Sequence, residues 1–159
     1  MKPEILAAKE HASAELLLQK QLEVTMSRTP GSGYEMNVWG TFWKISVVDS
    51  LVQLKKSYRD GLGDMNEWFA VSASLAGLLR ASLRLGEARE TCVDMMKRVP
   101  EKAVVGMKEM AYIEARDGNL VQALEWGRRA NEAAKSAFFR VAEDELRREY
   151  VNWQRSQHM

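Results

Sequence analysis

Apolar residues recur along this chain at helical rather than strand spacing. Ile5, Ala8, Ala12 and Leu16 step by three and four, which predicts a first helix ending near Met26. Trp43, Val47, Leu51, Leu54 and Tyr58 step by four, four, three and four. No strand alternates that way, so residues 34–58 read as a helix although the first half is rich in Val, Trp, Phe and Ile. A third stripe, Trp68, Val71, Leu75, Leu78 and Ser82, is flanked by Ala70, Ala73, Ala76, Gly77 and Ala81, small enough to admit a second backbone closely. "EARETCVDMMKRV" predicts a short helix stopped at Pro100, and a further helix from Glu101 to Asp117 carries Met107, Met110 and Ile113. Another helix follows Asn119, and Phe139, Ala142, Leu146, Tyr150 and Trp153 mark a last amphipathic one, expected over 136–156. The pattern predicts an all-α fold of about seven helices in antiparallel hairpins, forming one helical domain over residues 1–159.

The breaks between stripes carry their own chemistry. "SRTPGSG", residues 27–33, predicts a flexible connection, and it lacks the Gly-Lys-Ser/Thr that a phosphate-cradling loop requires. "DGLGD", residues 60–64, predicts a turn, with Asp64 and Glu67 spaced as a capping box. Gly86 is expected to break the chain between two helices. Gly118 is expected to end its helix in the left-handed conformation, followed by a second capping pair at Asn119 and Gln122.

Gly86 and Gly118 are 32 residues apart, each between two stretches of helical pattern. Around Gly118 the chain resembles a tetratricopeptide repeat. Ala111 stands seven before the glycine, Ala123 and Ala130 stand five and twelve after it, and Trp126 fills the aromatic place at eight. Glu114 replaces the family's usual tyrosine, and Met107 its tryptophan. The Gly86 unit departs further, with Thr91 and Arg98 where alanines would stand, and is two residues short. The resemblance covers residues 68–134 and implies either a tetratricopeptide-like array or a related helical bundle, closed by a C-terminal capping helix.

Composition narrows the function classes. Lys and Arg number 23 against 22 acidic residues, a net charge of +1, which argues against nucleic-acid binding through overall charge. Arg128, Arg129, Arg147 and Arg148, the candidates for such a role, have acidic neighbours. "AVSASLAGLL", residues 70–79, is about half the length of a membrane span, and acidic residues interrupt the N-terminal stretch, so neither a membrane segment nor a signal peptide is expected. Cys92 is the only cysteine, excluding an intrachain disulfide and a cysteine zinc cluster, and a cytoplasmic protein is expected. His11 and His158 form no metal or acid–base motif, Cys92 reads as a small buried hydrophobe, and Glu143–Arg147 and Asp144–Arg148 read as surface pairs. No catalytic, cofactor-binding or metal-binding residue is expected, and the chain is not expected to be an enzyme.

Nine methionines suit a surface that adapts to a partner. These features predict a non-catalytic protein–protein interaction module, such as a small chaperone or adaptor, with a toxin-neutralising immunity or inhibitor protein as the alternative, an enzyme with an unrecognised helical site ranked below both, and room for a homo-oligomer. The repeat resemblance implies where a partner would sit. Positions ten, six, three and two before each glycine would line a groove: Lys108, Tyr112, Ala115 and Arg116, and Ala76, Arg80, Leu83 and Arg84. Arg80, Arg84, Lys108, Tyr112 and Arg116 are the candidate contacts, suited to an acidic or C-terminal peptide. The competing reading is that these charges pair with Glu87, Glu109 or Glu114.

Overall fold

The computed structural model describes residues 3–27 and 38–157, with side-chain surroundings for residues 5–17 and 47–157. Most of the "SRTPGSG" connection, residues 34–37 and the Trp43 side chain lie outside that description. Seven α-helices follow in order among the described residues: α1 (Pro3–Ser27), α2 (Val38–Asp60), α3 (Met65–Ala81), α4 (Leu85–Arg98), α5 (Ala103–Arg116), α6 (Leu120–Ala133) and α7 (Glu143–Ser156). Short 3-10 turns occupy Pro100–Lys102 and Ala137–Phe139, and no strand occurs among the described residues. The all-α class read from the sequence is the class observed. Contacts group the chain into two compact units, Met1–Trp68 and Phe69–Met159.

In the first unit α1 packs on α2. Val47 and Leu51 of the anticipated α2 face are buried, together with Val48 and Val52. The α1 stripe is displaced. Ile5 and Leu16 are 49% and 53% exposed, while Ala8, His11 and Glu15 turn inward. The cause is Lys55, only 4% exposed, whose desolvated ammonium needs a counter-ion. Lys55 Nζ donates to Glu15 Oε1 at 2.8 Å, and His11 stacks on Tyr58 with ring centroids 4.0 Å apart. With Glu15 and His11 inward, helical geometry carries Ile5 and Leu16 out. After α2, Asp64 behaves as anticipated, its carboxylate accepting the Glu67 amide at 2.9 Å.

In the second unit α5 is the hub, packing against α4, α6 and α7. A Cβ on Gly106 would lie 2.7 Å from Met96 Cγ and 3.3 Å from the Cys92 carbonyl, so glycine lets α4 and α5 close on each other. Along the α5–α6 seam Ala111, Ala115, Ala123 and Ala130 are fully buried. Gly118, at φ 84°, reverses the chain between these helices. Its amide donates to the Ala115 carbonyl and that of Asn119 to the Glu114 carbonyl, at 3.2 and 2.8 Å, the paired bonds that satisfy a helix's last acceptors.

The same turn occurs between α3 and α4, but not at Gly86. Leu83 takes the left-handed conformation at φ 62°, with Leu83 N–H bonded to the Arg80 carbonyl and Arg84 N–H to that of Leu79. Gly86 lies inside α4 with open space around it. The two left-handed turns, at Leu83 and Gly118, are 35 residues apart, a spacing that aligns Ala76 with Ala111 and Ala88 with Ala123, all fully buried. Two smaller departures follow. Asn119 makes no side-chain cap to α6; its side-chain NH2 instead donates to Glu114 Oε2 at 2.9 Å. The last helix begins at Glu143, later than expected, because Phe139 lies in a 3-10 turn and Arg140 and Ala142 are extended.

This register has a direct test in denaturant unfolding. Leu83→Gly, at a half-exposed left-handed residue, is expected to stabilise by about 0.5 kcal/mol, and Gly86→Ala in α4 by about 0.5–1 kcal/mol. A destabilising Gly86→Ala would return the turn to Gly86.

Candidate partner-binding face

The residues singled out from the sequence fall on a face built largely by α5. Lys108, Tyr112 and Arg116 are four apart and share one side of that helix. Arg80 reaches the same side from α3. Its Nε donates to Glu109 Oε1 at 2.5 Å, and its guanidinium lies 5.1 Å from the Tyr112 ring centroid. The Tyr112 hydroxyl donates to the Glu145 carboxylate of α7. Burial raises the Tyr112 pKa, and the Glu145 bond and charge raise it further, so this hydroxyl stays a donor throughout the physiological range. Lys108 Nζ donates to the Phe138 carbonyl at 2.9 Å and sits 5.3 Å from that ring's centroid, beside a side chain 77% exposed.

Two of the implied groove positions do not reach the surface. Ala76 and Ala115 are fully buried, and Ala115 belongs to the small-residue seam between α5 and α6. Arg84 turns to Glu87 at the start of α4, with Nε–Oε2 at 2.5 Å and a second bond at 3.0 Å. Arg116 is half-buried with no hydrogen-bond or ion-pair partner among the described residues. The competing charge-pairing reading thus holds for Arg80 with Glu109 and Arg84 with Glu87. Glu114 is taken by a different cation, Arg89, whose Nε donates to it at 2.6 Å while its other arm reaches Asp117 at 2.5 Å. That bond to Glu114, then the one to Asp117, holds the Arg89 pKa up against desolvation.

α7 lies across this face, packed on α5 and α6. Leu146 is its one buried residue, set where a Cβ on Gly127 would lie 3.0 Å from it. Trp153 covers the Gly118 turn so closely that any Cβ there would collide with its indole. The approach to α7 is pinned by Asn131, whose side chain accepts from the Val141 amide at 2.6 Å and donates to the Val141 carbonyl at 3.0 Å. A cleft of about 410 Å³ remains along the α6–α7 seam, lined by Leu124, Val141 and Leu146 together with Arg128 and Arg140. Glu145 and Phe138 were not anticipated as members of this site. Each enters through a contact 30 or more residues away in sequence, which no local pattern marks.

Other groups resolve into structural roles. Cys92 is fully buried and its thiol is pushed up to about 12, chiefly by desolvation, so it holds no thiolate at neutral pH. Arg128 pairs with Glu125 and Glu132 at 2.6 and 2.5 Å, and Arg147 with Glu143 at 3.0 Å. Among the described residues, no helix is long and apolar enough to cross a membrane. No family model, curated protein or solved structure matches this chain.

The polar seam of the first unit makes a pH prediction. Burial lowers the His11 pKa below its ordinary 6.5; Glu15, 3.4 Å away, opposes this and Lys55 adds to it. The unfolded chain then binds the proton more tightly, so the stability contributed by neutral His11 is complete above 6.5 and lost as pH falls through the lower folded value. Thermal melting is expected to fall on acidification below 6.5, and His11→Phe, which keeps an aromatic ring to stack on Tyr58, is expected to flatten the decline. An unchanged slope in the variant would remove His11 from the account.

Proposed function

We propose that this chain is a non-catalytic protein-binding module with tetratricopeptide-like hairpin packing in its second unit. In this reading the α5 face takes an acidic segment of another protein, as a chaperone or adaptor would. The observation that carries it is the Tyr112–Glu145 bond: a carboxylate from another helix is held by this face, beside Arg80 and one turn from Lys108. Phenol, guanidinium and ammonium groups on one surface suit carboxylates, because each presents donors that strengthen against an ionised acceptor. Arg116 extends the row and, having no hydrogen-bond or ion-pair partner among the described residues, would engage a further acidic group.

The geometry decides which substitution tests this. Arg80→Glu would set a carboxylate against Glu109 and confound binding with stability, whereas Arg116→Glu breaks no bond among the described residues. Affinity capture from the native host, read by mass spectrometry, is expected to recover a specific protein with the wild-type chain and lose it with Arg116→Glu. The melting temperature is expected to be nearly unchanged, because half-exposed single charges contribute at most about 1 kcal/mol. Equal recovery by both proteins would move the interface away from this face.

A further inference from the structure

We infer that α7 occupies, in cis, the seat of an incoming partner helix, and that the partner is an acidic amphipathic helix presenting the same three groups. This rests on the reading of the α5 face as a protein-binding surface and specifies its ligand. The three groups are Glu145 on the Tyr112 hydroxyl, Leu146 against Gly127, and Trp153 over Gly118. They amount to a glutamate, a leucine directly after it and a tryptophan eight residues after the glutamate.

Several observations make α7 an exchangeable occupant rather than a fixed part of the core. Only Leu146 of its residues is buried, and Val151, on the same helix, is 39% exposed. A helix of 14 residues is marginal alone in water, so α7 persists by docking on α5 and α6. Its tether is exposed from Lys135 to Phe138, with Ser136 and Arg140 extended, and is held by the Asn131–Val141 bonds and the Lys108 bond to the Phe138 carbonyl. The seat is also wider than its occupant, since the cleft beside Leu146 is left open between α6 and α7. A helix with a bulkier apolar group there would cover more of Leu124 and Val141 than α7 does. The acidic character of the occupant is set by the seat itself. Tyr112 donates to its carboxylate, and Arg80 and Lys108 flank the point of contact.

Exchange of α7 tests this with the full chain. A protease site is inserted between Lys135 and Ser136, the folded protein is cut, and fluorescence anisotropy follows two labelled peptides. One is residues 137–157 of this chain. The other is an alanine–lysine host helix, otherwise unrelated, carrying only the glutamate, leucine and tryptophan at the stated spacing. Both are expected to enter the cut protein, at least about tenfold more tightly than they bind the uncut chain, whose seat is filled through a covalent tether. Glutamate-to-lysine versions are expected to bind at least about tenfold more weakly, whereas Arg147→Glu, on an exposed residue, is expected to leave the first peptide's binding unchanged. A host helix that binds no better than its scrambled sequence overturns the proposal. So does a cut protein that refuses both peptides while keeping its helicity, even where Arg116-dependent capture persists; that combination leaves the module reading standing. A concentration-dependent dimer of the uncut chain, dissolved by the 137–157 peptide, would assign the seat to a second copy and overturn the heterotypic partner.

Discussion

At Gly118 the backbone takes φ 84°, and the Trp153 indole lies where a side chain would be. The first favours glycine through backbone sterics, and the second requires it through close approach. The left-handed residue turns the chain so that α6 runs back along α5, which brings Ala123 and Ala130 against Ala111 and Ala115. The missing side chain admits Trp153, which fixes the end of α7. With that end and Leu146 placed, Glu145 arrives at the Tyr112 hydroxyl. The candidate face thus inherits its geometry from one turn.

The two units solve the packing of helices differently. In the second, alanines and glycines let backbones approach, and charged groups stay at the edges: Arg89 on Glu114 and Asp117, Arg80 on Glu109. In the first, a polar set stands in the seam between α1 and α2, with Lys55, Glu15 and His11 partly or wholly removed from water. An ion pair in such a place adds little net stability, because desolvation offsets the attraction, but it fixes the register of α1 on α2. That is why α1 presents Ile5 and Leu16 outward against the preference of its apolar residues.

Features governed by local spacing were legible in the sequence: the helices, the turn at Gly118, the Asp64 cap and the fully buried Ala123. The left-handed turn before α4 was not, because Leu83 adopts a conformation in which glycine is the ordinary signal, and Gly86 three residues on drew the reading to itself. That shift moved the implied groove positions, although Arg80 still lies on the α5 face through Tyr112. Ala76 and Ala115 were counted as surface because a helical position alone does not say which neighbour covers it. The α1 face was misread for a related reason: the lysine that draws Glu15 inward lies 40 residues away. Long-range charge pairing leaves no mark in periodicity.

The central claim is a stability order in the second unit, with the α5–α6 hairpin as the base and α7 as a segment that opens from it. Native-state hydrogen exchange measures that order directly. Amides of α5 and α6 flanking Gly118 are expected to exchange only through global unfolding, and those of α7 through an opening of lower free energy that leaves the hairpin protected. Equal protection across α5, α6 and α7, lost in one step, would contradict the account and make α7 an integral part of the core.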